Sequence, residues 1–273
     1  AGEVDGVADP AVGRQKRPQA VLERLRRRGV LEAQLFRLVA GADGSAADPA
    51  QRIEAAKRLW KHLPETNWLR RNPWLSDHIS GGDAGIYDLL LNPRDQAYTT
   101  TRFHDLITEA GLKLACWVEP VRYDPDIYLP DPRLRALTAR LSPIERAALA
   151  ESVTGNMGIH IVYVTRAEDP VPAPAWDDPA SIPVLREWEG EKLARSLPPS
   201  GVLPMNFDGC SVSIPLPRLA PAILARVDGQ RSIGEIGDLL AAQGTSRELF
   251  AQNFAELVKQ LERLNRLLLA PPA

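Results

Sequence analysis

The stretch Leu112-Lys113-Leu114-Ala115-Cys116-Trp117-Val118 has the two-residue period of a strand, with Leu112, Leu114, Cys116 and Val118 on one apolar face. Gly111 just before it reads as the C′ glycine ending a helix that carries Phe103, Leu106, Ile107 and Ala110, and Thr99 to Thr101 offer that helix an N-cap. Beyond the strand, Ser142-Pro143-Ile144-Glu145 has the parts of a capping box and predicts a helix to about Val153. Ile159 to Thr165, rich in β-branched residues, reads as a second strand. Strand, helical excursion and strand thus follow one another over residues 112–165 and are expected to pair in one sheet.

Upstream, Leu31, Leu35, Leu38 and Val39 have helical spacing that stops at the Gly41 to Gly44 turn, and Asp48-Pro49 with Gln51 opens a helix to His62 that Pro64 ends. Residues 65–98 are aromatic, glycine-bearing and irregular, as functional loops are. Within them Ile86 to Leu91 reads as a short helix or strand, and Asn92-Pro93-Arg94-Asp95 as a turn. Downstream, five prolines from Pro170 to Pro183 predict a stiff linker and a domain boundary. Val184 to Leu197 reads as a helix, and Asp208-Gly209 as the turn of a hairpin. Helices then follow over Leu219 to Val227, from the Ser232/Glu235 capping box to Gly244, and from Ser246 to Leu264, with Arg266 to Ala270 as a closing strand. The fold class expected is α+β, helix-rich, with a small winged-helix-like module at the C-terminal end.

The 273 residues, 44% hydrophobic and 25% charged with a net charge of −2, exclude a coiled coil, a collagen and a fully disordered chain, and argue against general nucleic-acid binding. Arg14, Lys16, Arg17, Arg24, Arg26, Arg27 and Arg28, opposed by Glu23 alone, read as a solvated N-terminal arm, nucleic acid being the alternative. Residues 218–273 hold seven basic and six acidic residues, a balance that favours a protein partner over DNA. Two cysteines are too few for a disulfide scaffold, and no run approaches the roughly 20 apolar residues of a membrane helix. The expectation is a cytoplasmic chain that engages no membrane.

No glycine-rich turn follows a strand, since Gly81-Gly82-Asp83-Ala84-Gly85 has no apolar strand before it, and neither a nucleophile elbow nor a paired-histidine metal motif occurs. No metal site is expected. His104 and His160 read as structural, whereas Asp77 and His78 could form a general-base pair or simply stabilise a turn. Asp95 and Tyr98 complete the catalytic candidates, with capping and core cover as their structural alternatives. Asn67, Trp68, Trp74 and Asp88 are the substrate-binding candidates, on the aromatic and polar density of their loop.

Specific strings carry a resemblance. Leu63 to Trp68, Asp77-His78, Gly82 to Leu91 and Pro93 to Thr99 resemble the C-terminal half of a group of bacterial class I S-adenosylmethionine-dependent methyltransferases, over about residues 26–270. Arg28 to Gln34 resembles the stretch after that family's fifth strand. Ile214-Pro215-Leu216-Pro217 and Arg226 to Ile233 resemble its C-terminal winged-helix domain, of the kind also found in rickettsial-type protein lysine methyltransferases. The family has histidine where this chain has Asn92. Its methyl-donor site, a glycine-rich loop and an acidic strand end on the first strands, would precede residue 1.

The resemblance implies that residues 112–118 and 159–165 are the last, antiparallel strands of a class I methyltransferase sheet. It implies a basic arm over 1–28, the C-terminal part of a methyltransferase-like domain over 29–167, a linker over 168–183 and a winged-helix-like domain over 184–273. The function implied is the substrate-side and accessory portion of a methyltransferase acting on protein, inactive alone. S-adenosyl-L-methionine is the family's cofactor, and none is expected on this chain by itself. A protein substrate or partner is implied, with a homodimer as one way to cover the strands' faces. The alternative is a non-enzymatic protein-interaction or regulatory module.

Overall fold

The computed structural model describes residues 35–39, 48–94, 96–171 and 173–270, all but the side chain of Asp77. The chain divides into two compact units, residues 1–99 and 100–273. Arg14 to Arg28 and Leu31 lie outside the described residues.

The first unit is helical. Pro49 opens α1 (Pro49–His62) at N1, but the Asp48 carboxylate makes no capping hydrogen bond, so the proline's fixed φ rather than an Asp cap sets the start. Short helices α2 (Trp68–Arg71), α3 (Asp77–Ser80) and α4 (Gly82–Ile86) follow, and Tyr87–Leu91 continues as a π-helical turn. Ile86, Leu90 and Leu91 pack with Phe36, Ala56, Leu63 and Leu69 in one apolar core.

The second unit is α+β. Helix α5 (Thr100–Glu109) leads through Gly111, at φ 72°, into β1 (Leu112–Trp117), which pairs antiparallel with β2 (Val162–Arg166). The expected alternation of β1 fails at a bulge between Leu114 and Cys116. One extra residue there turns Trp117 onto the buried face beside Leu114 and leaves Cys116 exposed. Between the strands run two 3₁₀ turns, Pro120–Tyr123 and Pro125–Ile127, then α6 (Pro132–Thr138) and α7 (Pro143–Thr154). The Ser142/Glu145 capping box opens α7, and Gly155, left-handed at φ 64°, closes it.

The expected helix over 184–197 is corrected. Its first residues form β3 (Pro183–Leu185), and only α8 (Gly190–Ser196) is helical. Pairing of β3 with β6 (Leu267–Leu269) overrides the local helical pattern. The hairpin β4 (Val202–Phe207) and β5 (Cys210–Pro215) turns at Asp208-Gly209. Helices α9 (Ala220–Leu224), α10 (Ile233–Ala241) and α11 (Arg247–Glu262) then bury Ile223, Leu224, Ile236, Leu240, Leu257 and Leu261 against the hairpin's Leu203, Val212 and Ile214. Residues of the proline-rich stretch are fastened to these helices. Trp176 Nε1 donates to Glu262 at 2.5 Å, and the carbonyls of Pro179 and Ser181 accept from the amides of Gly234 and Ile233.

Candidate functional site

Asn67, Trp68, His78, Asp88 and Tyr98, nominated in the first unit, each make a local contact. Asn67 caps α2, its Oδ1 accepting from the amides of Leu69 and Arg70 at 3.0 and 3.3 Å. Trp68 packs on the core and Trp74 is 54% exposed. His78 is buried, its ring edge-on to Trp60 at 4.2 Å between centroids. Asp88 Oδ1 accepts from Asn92 Nδ2 at 3.5 Å, and the Tyr98 hydroxyl donates to Gln96 Oε1 at 3.0 Å. Asp77 begins α3; its side chain, like Asp95, lies outside the described residues.

The second unit brings together groups that the sequence did not nominate. Glu151, on α7, accepts through Oε2 from both the amide and the hydroxyl of Thr100, the first residue of α5, the amide at 3.0 Å. Glu151 Oε1 lies 3.7 Å from His160 Nε2, and His160 Nδ1 lies 3.0 Å from the Tyr123 hydroxyl. With Nε2–H turned to the carboxylate, Nδ1 is the acceptor and the phenol donates to it. Tyr123 stacks on Trp117 at 4.1 Å, and Phe103 lies over His160 at 6.2 Å. Burial pushes the Tyr123 phenol up, with the positive Arg122 opposing that and the carboxylates of Glu151 and Glu119 adding to it. The phenol stays neutral and acts as a donor. Carboxylate, imidazole and phenol thus lie in a row, flanked by the rings of Trp117 and Phe103. His160, expected to be structural, is its centre.

From this line a network of ions runs along residues 119–128. Asp124 binds Arg146 at 2.7 Å and Arg263 at 2.5 Å, and Asp126 binds Arg146 at 3.0 Å. Arg122 pairs with Asp208 and lies 5.5 Å from the centre of the Phe207 ring. Glu119 reaches Arg266 at 3.3 Å, and the Val121 amide donates to the Arg263 carbonyl at 2.8 Å. The strap joins the β1–β2 pair to the C-terminal helices, with Val121 fully buried in their core.

Among the described residues no group of three or more His, Cys, Asp or Glu side chains could hold a metal ion, and no helix is long and apolar enough to cross a membrane. No protein-family model matches the chain, and no curated protein matches it.

Proposed function

We propose that the chain is the substrate-side and accessory part of an S-adenosylmethionine-dependent methyltransferase that acts on a protein side chain. One observation carries the reading: β1 and β2 form a sheet of two strands, and β2 leaves Tyr163 and Val164 49% and 42% exposed, with Ile161 just before it at 51%. Two strands make a sheet of marginal stability, and an apolar strand with an open edge calls for further strands beside it. A class I methyltransferase sheet ends in such an antiparallel pair. The methyl donor does not fit the described residues. Their six strands pair only antiparallel, and none runs through a glycine-rich turn into a helix N-terminus, so the role proposed is confined to the acceptor side. The winged-helix-like character of the C-terminal module is part of the same proposal.

A partner-binding role for α11 lacks comparable support. Phe250, Phe254, Leu257, Val258 and Leu261 are buried in the module's own core, so its apolar face is already used.

The test is calorimetric titration of the folded chain with S-adenosylmethionine and with S-adenosylhomocysteine. No binding is expected at micromolar ligand. Micromolar binding would place a donor site in residues read as accessory and overturn the assignment.

A further inference from the structure

Four described non-glycine residues have positive φ: Glu119 at 58°, Glu187 at 64°, Asp208 at 49° and Asn265 at 53°. Two are ordinary. Asp208 is the first residue of a two-residue hairpin turn completed by Gly209 at φ 92°. Asn265 is the left-handed residue that ends α11, its amide donating to the Glu262 carbonyl at 2.8 Å while the Arg266 amide returns to Leu261 at 2.9 Å. The two glutamates have no such reason. Glu119 also precedes Pro120, and a residue before proline is pressed toward extended backbone, which makes a left-handed conformation there doubly unfavourable.

Both carboxylates converge on one guanidinium. Arg266 Nη2 lies 3.3 Å from Glu119 Oε1, and Nη1 lies 2.7 Å from Glu187 Oε2. The Arg266 side chain is only 12% exposed and lies over the Trp188 ring at 5.4 Å. Its carbonyl accepts from the Arg186 amide at 2.9 Å, which extends the β3–β6 ladder to the residue just before Glu187. Arg122 and Arg186 add second, exchangeable cations at 3.5 and 3.1 Å.

We propose that Arg266 is a clamp holding the backbone at Glu119 and Glu187 in a conformation neither keeps alone, so that the strap from Glu119 to Tyr128 is a two-position element coupled to β6. Glu119 is where the chain turns away from β1, and four residues later Tyr123 reaches His160. With the clamp closed, the strap is aimed so that Tyr123 meets His160 and Val121 enters the C-terminal core. With it open, Glu119 relaxes to extended backbone and the strap leaves β1 in another direction. The C-terminal strand thereby controls whether the Tyr123–His160–Glu151 line is assembled, whatever reaction the chain serves.

Hydrogen exchange of the full chain, read by mass spectrometry over residues 119–128 relative to α7 and α11, tests this. Arg266→Gln is expected to speed exchange of the strap by about tenfold or more, the scale of one left-handed penalty. Adding Glu119→Gly and Glu187→Gly to Arg266→Gln is expected to restore most of the protection, because glycine accepts positive φ without a clamp. Unchanged exchange in Arg266→Gln, or accelerated exchange that the glycines do not restore, overturns the proposal. If Arg266→Gln does not fold, the wild-type chain at roughly 0.05 M and 1 M salt decides, since screening weakens the partly exposed pairs. Selective loosening of the strap at high salt is expected, and its absence overturns the clamp.

Discussion

A methyl group at residue 190 has no room. A Cβ built on Gly190 would stand 2.5 Å from the Val227 carbonyl oxygen and closer still to that of Leu224, and both are backbone atoms of neighbouring turns that cannot swing aside. Gly190→Ala is therefore expected to lose about 2–3 kcal/mol, measured as a lowered urea midpoint for residues 100–273. Gly244 is a control: at φ 91° in open space, alanine meets only backbone strain, about 1 kcal/mol. Neither the clash nor the clamp was legible in the sequence. Gly190 stands in what reads as an ordinary helix, and Glu119 and Arg266 are 147 residues apart. Contacts made across the fold leave no local spacing to read.

Devices confined to one turn of chain were legible. Both capping boxes, Ser142/Glu145 and Ser232/Glu235, form as their spacing implies, because every atom involved lies within four consecutive residues. The β1 bulge and strand β3 were not, since each is set by a partner strand distant in the chain. The α7 box also titrates. The hydroxyl and amide of Ser142 both donate to the Glu145 carboxylate and hold its pKa below the ordinary value. A carboxylate lowered by folding contributes fully above its ordinary pKa, and the contribution disappears as pH falls through the lowered folded value. Ser142→Ala is expected to cost about 1 kcal/mol at neutral pH. Glu145→Ala is expected to separate from wild type at neutral pH and to converge with it in acid below the carboxylate range. Hydrogen-exchange protection of α7, followed against pH, checks both.

At the scale of the molecule, composition and contacts point to different boundaries. The prolines of 168–183 look like a linker, yet the carbonyls of Pro179, Ser181 and Ile182 accept amides from Gly234, Ile233 and Ala270, and Trp176 is bonded to Glu262. Proline enriches segments that must be extended, and an extended segment laid along a helical module has the same composition as a free one. Val121, Ile127 and Tyr128 meanwhile supply part of the C-terminal core from the far side of that stretch. The division between compact units falls instead at Thr99 and Thr100, inside a run of three threonines that carries no compositional signal. Two fragments separate these boundaries. Residues 100–273 retain the strap, β3 and the fully buried Val121, and are expected to unfold in a single cooperative transition in urea. Residues 168–273 keep Trp176 and β3, the partner of β6, but lose the strap with Val121, and are expected to bind an apolar dye such as anilinonaphthalene sulfonate and to melt without a sharp midpoint. Cooperative unfolding of the shorter fragment would mean that the strap adds contacts to a module already complete. Its failure beside a cooperative longer fragment would make residues 119–128 part of the C-terminal core, which a control exerted on the strap by β6 requires.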